Sequence, residues 1–525
     1  MTRFFNTAGP CDPSRHYMLP PEERLPDIGG LIDRELYFVL HAPRQSGKTT
    51  LIRSLAQSLT SQGRYMAVYV SCETGQPAGD DLERGIRAVL EAITAQAERL
   101  PPELRPEPLN AFDGIGAENR LGRYLSRWSE RSARPVVLFL DEIDALRDST
   151  LLSVLRQLRA GYPERPSHFP QSVALVGLRD VRDYRIQVRE DAESLGTSSP
   201  FNIKVRSLTL ENFTREEIAT LYGQHTEETG QHFAPEAVDL AWRLTQGQPW
   251  LVNAIAAEVV DKLVRDRSVS IEPAHIERAK EILIERRDTH LDSLIDRLRE
   301  PRVRRVIEPI LVGELLPPDL LDDDVQFVKD LGLVTPGTRG LEIANPIYRE
   351  VIPRALTSIV QESLPVARAP FIGPDGGLRI DKILDEFRAF WCEHAEFFLN
   401  RQPYSEAAAQ LIFMAYLQRV VNGGGFIDRE YGVGRGRIDL CVRWPDPGSP
   451  GGVQRWAIEL KVWRNGRPDP LEEGLTQLSS YLDRLGLDSG TLILFDTRSG
   501  ATPVPERCSI DQVEKNGRHL TVLRL

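Results

Sequence analysis

The chain has 525 residues, with 65 Lys and Arg against 76 Asp and Glu, a formal net charge of −11. Apolar residues make up 41% of it, which is enough to bury several cores and too many for a disordered chain. This charge excludes a polybasic coat for nucleic acid, so any nucleic-acid contact must use a local basic patch.

The five Cys are widely spaced, which argues against a zinc ribbon or a disulfide scaffold and fits a reducing cytoplasm. The first residues lack an apolar signal core. The longest apolar runs are far shorter than the roughly 20 residues that a membrane span needs. We therefore expect a cytoplasmic protein of about three to five domains, without a membrane partner.

Short apolar runs alternate with helical periodicity through residues 1–206, and this alternation predicts a parallel sheet with helices on both faces. Strands are expected at residues 36–40, 66–71, 136–140 and 172–177. Residues 207–290 have a helical pattern and predict a lid domain. Residues 291–360 give two helices and then two short strands around a Gly turn, the order of a winged helix. Residues 361–378, rich in Pro and Gly, predict a linker.

Residues 42–49, APRQSGKT, lie between the first predicted strand and the next helix. Consecutive backbone N–H groups and a helix N-terminus would cradle phosphate there. Gly47 allows close approach, Lys48 would reach the β and γ phosphates, and Thr49 would offer its hydroxyl to Mg²⁺. ATP and Mg²⁺ are the expected ligands. The loop residues predicted to bind them are Ala42, Pro43, Arg44, Gln45, Ser46, Gly47, Lys48, Thr49 and Thr50.

The strand at 136–140 ends in the acidic sequence DEID. Asp141 would hold Mg²⁺, directly or through water, and Glu142 would orient and deprotonate the attacking water. Asp144 fits two interpretations equally, a site residue or a helix N-cap.

These motifs resemble the AAA-like and STAND branch of P-loop ATPases, and the resemblance covers about residues 10–290. It implies that Arg179, after the fourth strand, senses the γ-phosphate; the alternative is a surface Arg. Residues 245–250, TQGQPW, resemble the GxP segment that packs near the nucleotide in that group, or an ordinary Gly/Pro break between helices. Residues 10–17 lie where that group contacts adenine.

The C-terminal part, residues 379–525, has a second constellation. Asp439 lies on one predicted strand, and Glu459 and Lys461 lie on the next. Residues two apart on a strand point to the same face. A divalent metal held by Asp439 and Glu459 would relieve the repulsion between the acids, and Lys461 would activate water or steady a phosphodiester.

This set resembles the PD-(D/E)XK nuclease superfamily, with Asp439 as the first acid and Glu459-Leu460-Lys461 as the (D/E)XK element. Gln477 and Tyr481 match the QxxxY element of its RecB-like branch, and Glu406 matches its helical acid. The resemblance implies a Mg²⁺-dependent endonuclease or exonuclease. The alternatives are a salt-bridged surface sheet and a nuclease fold that has lost its activity.

The expected fold class is therefore α/β and multi-domain: a P-loop parallel-sheet ATPase core, a helical lid and winged helix, and a C-terminal α/β PD-(D/E)XK nuclease-like domain. The expected function is ATP hydrolysis that regulates the cleavage of nucleic acid, with DNA as the first candidate substrate. A nucleotide-dependent homo-oligomer is the expected assembly. Analogy with similar fusions suggests defence or the handling of mobile elements. The rival is a nucleotide-gated STAND-type scaffold whose C-terminal domain binds a partner without cleaving.

Two compositional features bear on these expectations. Arg302, Arg304 and Arg305 in the winged-helix stretch would contact DNA phosphates, but the acidic segment 319–324 favours a packing role instead. Only eight of the 65 basic residues are Lys. Two of these eight, Lys48 and Lys461, fall in the two motifs, where a compact ammonium and a guanidinium are not interchangeable.

Overall fold

The computed structural model describes residues 2–178, 204–286, 289–311, 316–317, 322–337, 340–363, 371–399, 408–421, 425–433 and 436–525. The chain divides into two compact units. The first comprises Met1–His290 with Gln326–Val334, and the second comprises Leu291–Val325 with Thr335–Leu525. None of the described helices has the length and apolar content that a membrane crossing requires.

The first unit contains a sheet of five parallel strands in the order β2-β3-β4-β1-β5. Its strand β4 therefore lies between β1 and β3, and the carboxyl ends of all five strands share one edge, where ligands bind in open α/β sheets. The elements up to β5 are α1 (Pro21–Arg24), α2 (Asp27–Asp33), β1 (Tyr37–His41), α3 (Lys48–Ser61), β2 (Met66–Ser71), α4 (Leu82–Ala97), α5 (Ala117–Arg131), β3 (Val136–Asp141), α6 (Asp148–Gly161), β4 (Ser172–Gly177) and β5 (Lys204–Thr209).

The strands of this sheet are apolar along their length because helices cover both faces. On β1, Tyr37 and Val39 pack with α4, α5 and α6, whereas Phe38 and Leu40 pack with α2 and α3 on the opposite face. This alternation holds α3, the helix that follows the phosphate-loop sequence, against the sheet.

The helical region of the first unit follows directly, with α7 (Arg215–Thr229), α8 (Pro235–Thr245), α9 (Pro249–Glu258), a π-helical turn at Val259–Leu263 and α10 (Pro273–Arg286). A tight turn at Gly247 joins α8 to α9. Gly247 has a positive φ of 71°, and its carbonyl accepts a 2.8 Å hydrogen bond from the Phe213 amide. A Cβ at this position would lie 1.8 Å from the Phe213 carbonyl oxygen. The turn therefore requires glycine both for its conformation and for its space.

The second unit begins with short elements: most of α11 (Thr289–Arg297), then α12 (Pro301–Leu311), the start of α13 (Asp323–Asp330), a two-stranded sheet of β6 (Val334–Pro336) and β7 (Leu341–Ile343), and α14 (Pro346–Ser363). Two helices followed by two short strands is the order of elements that the sequence predicted for residues 291–360, and the winged helix stays a prediction. Arg305 bonds Asp322 at 2.6 Å and Asp324 at 3.2 Å, and Arg302 bonds Asp324 at 3.2 Å. These ion pairs favour the packing interpretation of the arginines over phosphate contact.

The C-terminal part is a six-stranded mixed sheet in the order β12-β13-β11-β10-β9-β8, with helices on both faces. Strands β8, β9 and β10 are antiparallel, and β10, β11 and β13 are parallel. Its elements are α15 (Ile380–Leu399), α16 (Ala408–Val421), β8 (Phe426–Val433), β9 (Gly436–Pro445), β10 (Val453–Trp463), α17 (Leu471–Leu485), β11 (Ser489–Asp496), α18 (Val504–Arg507), β12 (Ser509–Lys515) and β13 (Arg518–Arg524).

Residues 371–378, within the predicted linker, are packed on this sheet. The Leu378 amide donates to the Gln454 side chain at 2.7 Å, and the Trp444 indole donates to the Gly376 carbonyl at 2.8 Å. Helix α14 also continues to Ser363. The Pro and Gly content of this stretch therefore marks turns at the border of the C-terminal sheet.

We predict that Gly247→Ala loosens the lid because the new Cβ overlaps the Phe213 carbonyl. A non-glycine residue in this strained conformation costs of order 1–3 kcal/mol, so amide hydrogen exchange in α9 should accelerate by about 5- to 150-fold. The matched control is Gly223→Ala in the middle of α7, where a Cβ meets nothing within 4 Å. That change should leave exchange unaltered or slow it. Equal exchange rates in the two variants would contradict the assignment of the turn.

Candidate functional site

The loop between β1 and α3 has the backbone of a phosphate cradle. Gln45 and Gly47 have positive φ angles of 57° and 91°, so the chain turns sharply before α3 begins at Lys48. Successive N–H groups in such a turn, followed by a helix N-terminus, form an anion-binding concavity. The sequence prediction of a strand, a loop and a helix at this position is confirmed by the strand and helix bounds.

Lys48 lies folded back into this loop. Its Nζ donates to the carbonyl oxygens of Ala42 and Pro43, both at 2.7 Å. Burial lowers the pKa of the ammonium to about 8, since the site withdraws it from water. The two carbonyl oxygens that accept these hydrogen bonds are neutral. A phosphate oxygen in their place would bring the negative charge that they lack.

The other loop residues differ in exposure. Ser46 is buried, and its Oγ has no hydrogen-bond partner among the described residues. Arg44 and Gln45 are exposed. A buried hydroxyl without a partner is costly unless a ligand satisfies it. The loop therefore fits an anionic group that accepts hydrogen bonds from inside the cradle.

Thr49 and Asp141 meet across 92 positions of the chain. The Thr49 hydroxyl donates to Asp141 Oδ2 at 2.7 Å, at the edge where β1 and β3 end. Asp141 is 1% exposed, and burial raises its pKa. Hydroxyl and carboxylate oxygens are the ligands that Mg²⁺ prefers. These two residues fit the magnesium site that the sequence assigned to them.

Glu142 follows Asp141 but has a different environment. Its φ is +53°, and its side chain is exposed at the sheet edge. The Ser71 hydroxyl, at the end of β2, donates to Glu142 Oε2 at 2.8 Å. Partial burial raises the pKa of Glu142, which suits a carboxylate that must accept a proton. Ser71 was not predicted from the sequence, because its contact with Glu142 arises from the pairing of β2 with β3.

Asp144 does not cap a helix. It lies inside a 3₁₀ turn at Ile143–Ala145, and the N-cap of α6 is Arg147. The Asp144 carboxylate acts electrostatically on Lys48, whose pKa it raises against the larger effect of burial. The N-cap interpretation of Asp144 is therefore wrong, and its site role stays a prediction. Arg179, the predicted sensor, lies outside the described residues.

The N-terminal segment contacts both α3 and the lid. The Cys11 amide donates to Thr50 Oγ1 at 3.0 Å, so Thr50 holds this segment on α3. The Trp250 indole, in the GxP-like segment, donates to the Thr7 carbonyl at 2.8 Å. A cavity of about 610 Å³ lies between these parts; its lining includes residues 4–10 and α9. Segment 10–17 therefore contacts the start of α3 through Cys11, and segment 245–250 contacts the N-terminal segment through Trp250.

The C-terminal sheet brings together three of the predicted nuclease residues. Lys461 Nζ lies 3.1 Å from Glu459 Oε1 on the same strand, β10. It also donates to Gln477 Oε1 of α17 at 2.7 Å, and Gln477 in turn donates to Glu473 at 3.0 Å. Glu459 is 2% exposed. A carboxylate this deeply buried requires a cation beside it, and Lys461 supplies one.

The structure describes the other predicted nuclease residues only in part. Tyr481 lies one turn beyond Gln477 on α17 and packs on the apolar cluster between that helix and the sheet. Asp439 precedes Leu440, which pairs with Ile458 in the β9–β10 ladder, so its backbone lies beside that of Glu459. Its side chain and all of Glu406 lie outside the described part of the chain. Among the residues that are described, no group of three or more His, Cys, Asp or Glu could hold a metal ion.

Comparisons with known proteins bear on the first unit. A family model described as AAA ATPase domain matches residues 31–168, and no curated protein matches the chain. Among solved structures, a Walker-type ATPase of Pyrococcus abyssi is similar over 66% of this chain and 99% of its own, with 14% identity and a TM-score of 0.45.

Two further solved structures have lower TM-scores. The RuvB Holliday junction branch migration motor of Thermotoga maritima has 15% identity and a TM-score of 0.34, over 63% of this chain and 92% of its own. The ORC2 protein of Aeropyrum pernix, with ADPNP and ADP, has 14% identity and a TM-score of 0.38, over 65% of this chain and 92% of its own. On the family match and the geometry of the loop, residues 31–168 are an AAA-type P-loop ATPase domain.

Proposed function

We propose that this protein hydrolyses ATP at the Lys48–Asp141 site and that its nucleotide state regulates a metal-dependent PD-(D/E)XK nuclease formed by the C-terminal sheet. The observation that carries the first half is the Thr49–Asp141 hydrogen bond of 2.7 Å, which joins the two motifs that hydrolysis needs. The second half is supported by the Glu459–Lys461–Gln477 cluster.

Each residue of the ATPase site has a distinct task. Lys48 would exchange its carbonyl partners for β- and γ-phosphate oxygens and neutralise part of their charge. Ser46 and the N–H groups of the loop would donate to the same anion. Thr49 and Asp141 would hold magnesium, which would neutralise more of the phosphate charge. Glu142, aligned by Ser71, would accept the proton of the attacking water.

The nuclease site combines an acid, an ammonium and an amide on one face of the sheet. A divalent metal at Asp439 and Glu459 supplies Lewis acidity toward a phosphodiester. Lys461, held between Glu459 and Gln477, would steady the charge that develops on the phosphate. Glu406 and Tyr481 would complete the set. We propose DNA as the first substrate to test, with Mg²⁺ as the metal.

The decisive experiment is a nuclease assay of the purified full chain. Supercoiled, linear and single-stranded DNA and RNA would be incubated with and without ATP, in Mg²⁺ or Mn²⁺. Cleavage that requires the metal and changes with the nucleotide supports the proposal. Nucleotide-dependent capture of a protein partner with no cleavage of any substrate would instead favour the scaffold.

We predict that Lys48→Ala weakens ATP binding. The change removes a charge-assisted hydrogen bond of about 1.5–3 kcal/mol, so the Kd for ATP should rise roughly 10- to 150-fold. Isothermal titration with Mg·ATP measures this directly. Lys382→Ala in α15 removes one lysine outside the ATPase domain and should leave the Kd unchanged. An unaltered Kd in Lys48→Ala would remove Lys48 from the site.

Glu142→Gln should retain ATP binding and lose hydrolysis. The amide cannot accept a proton from water, and the loss of a general base lowers kcat by about 10²- to 10⁴-fold. The matched control is Glu73→Gln, which removes a nearby exposed carboxylate and should keep kcat close to that of the parent. Phosphate release under single-turnover conditions is the measurement. A parental rate in Glu142→Gln would refute the base assignment.

The two chemistries should be separable. Asp439→Ala and Lys461→Ala should each lower cleavage by at least about 10²-fold, while ATP turnover survives. Lys461→Arg should also fail, since a planar guanidinium does not fit between Glu459 and Gln477 as a compact ammonium does. Lys515→Arg, on edge strand β12, is the matched control and should cleave normally. Cleavage that persists in both alanine variants, in Mg²⁺ and in Mn²⁺, would reject the nuclease assignment.

A further inference from the structure

An aromatic ring and a guanidinium are stacked where β10 and β11 end, outside the proposed catalytic set. The guanidinium carbon of Arg498 lies 3.3 Å from the centre of the Trp463 ring. Asp496 accepts two hydrogen bonds from this guanidinium, at 2.8 and 2.7 Å. The Trp463 indole donates to the Arg467 carbonyl at 3.0 Å. Both planar groups are therefore fixed in orientation.

The loops around this pair are tied together. The Thr497 amide donates to the Trp463 carbonyl at 3.0 Å, and the Ser499 amide donates to Asn465 Oδ1 at 3.2 Å. A surface that is already ordered before binding loses little conformational entropy when a ligand arrives. The stacked pair, Trp463 with Arg498, is therefore a preorganised platform.

The platform lies on the sheet face of the proposed nuclease site. Glu459, Lys461 and Trp463 alternate along β10 and so share a face, the same face on which Ala457 packs with α17. Trp463 is two residues beyond Lys461, about 6.6 Å along the strand. One nucleotide of an extended nucleic-acid strand can span this distance.

The loop that carries Trp463 is basic, while the carboxylates that act on Arg498 are Asp496, its hydrogen-bond partner, and Asp469. Residues 461–467, KVWRNGR, hold three basic residues and no acid, although the whole chain has a net charge of −11. Arg467 is exposed. This is the kind of local basic patch that an acidic chain needs in order to approach phosphate.

We propose that Trp463 and Arg498 bind an unpaired base of the nucleic-acid strand whose phosphate lies at Lys461. Proteins that bind single strands stack bases on aromatic rings and on Arg guanidinium planes. The substrate class is thus a strand with at least one unpaired nucleotide beside the cleavage site. This inference rests on the proposed nuclease function and adds a substrate preference to it.

The test measures binding by the full chain in EDTA, which stops metal-dependent cleavage. A fluorescent dT12 strand is compared with an abasic strand of the same length, which has the same phosphates and no bases. Stacking on one base should make the parent bind dT12 about 5- to 150-fold more tightly than the abasic strand. A parallel rU12 arm shows whether the platform distinguishes RNA from DNA.

Trp463→Ala and Arg498→Ala should abolish the preference for the base-bearing strand, while Trp463→Phe should keep most of it. Arg455→Ala, an exposed position at the other end of β10, is the matched control for the loss of one charge. It should weaken both strands equally and keep their ratio. Parental ATP turnover and circular dichroism show that the variants are folded.

The outcomes separate this inference from the nuclease proposal. The platform alone is overturned if the parent cleaves nucleic acid but binds both strands equally. It is also overturned if the preference for dT12 survives in Trp463→Ala and Arg498→Ala. In either case the stacked pair would only hold the two loops together. A preference that Trp463→Ala removes, in a protein that cleaves nothing, supports the platform and rejects the nuclease. Failure to bind either strand overturns the platform.

Discussion

The hydrogen bond between Thr49 and Asp141 is the contact on which the ATPase site depends. It requires that α3 begin at the edge of the sheet where β3 ends, with β4 as the spacer between β1 and β3. Asp141 is buried and Lys48 is partly buried at this edge. Burial raises the pKa of Asp141 and lowers that of Lys48, which favours the neutral form of each. Removal of either charge would leave the other less compensated, which is costly in a buried site.

The two consecutive acids at the end of β3 have different surroundings. Asp141 is 1% exposed and bonded to Thr49, so its carboxylate is held in one position, as the proposed metal ligand would be. Glu142 has a left-handed backbone and an exposed side chain bonded to Ser71, so it can reach solvent and exchange a proton. In hydrolytic sites, nearby carboxylates in different environments often have different pKa values and take different chemical roles.

The sequence predicted the features that depend on buried strands and on motif spacing. The strands now seen as β1 to β4 are continuous apolar runs because both faces of the sheet are covered, and their bounds agree within about one residue with the prediction. Lys48, Thr49 and Asp141 were predicted because the cradle needs those residue types in that order.

Features that depend on neighbours in space were missed. Ser71 bonds Glu142 only because β2 lies beside β3, which local spacing does not encode. Strand β12, SIDQVEK, lies at a sheet edge and has no buried residue, so it has no apolar run to predict it. The N-cap interpretation of Asp144 is wrong because the chain makes a 3₁₀ turn before α6 begins. Arg179 and Glu406 stay predictions.

The rarity of lysine has a physical meaning only when the neighbours of each lysine are compared. Lys280 is more buried than Lys48 or Lys461, and Glu277 and Glu281 lie 3.1 and 3.0 Å from its Nζ. Lys461 has Glu459 at 3.1 Å, Glu473 at 3.9 Å and a neutral amide, Gln477, at 2.7 Å.

Lys48 differs from the other two lysines in its hydrogen bonds, which go to two neutral carbonyls. Asp141, Asp144 and Glu142 act on it electrostatically and raise its pKa against the larger effect of burial. A phosphate oxygen could therefore replace the carbonyls as the hydrogen-bond acceptor without breaking a direct ion pair. The direct partners of a lysine, more than its burial, set Lys48 apart from Lys280.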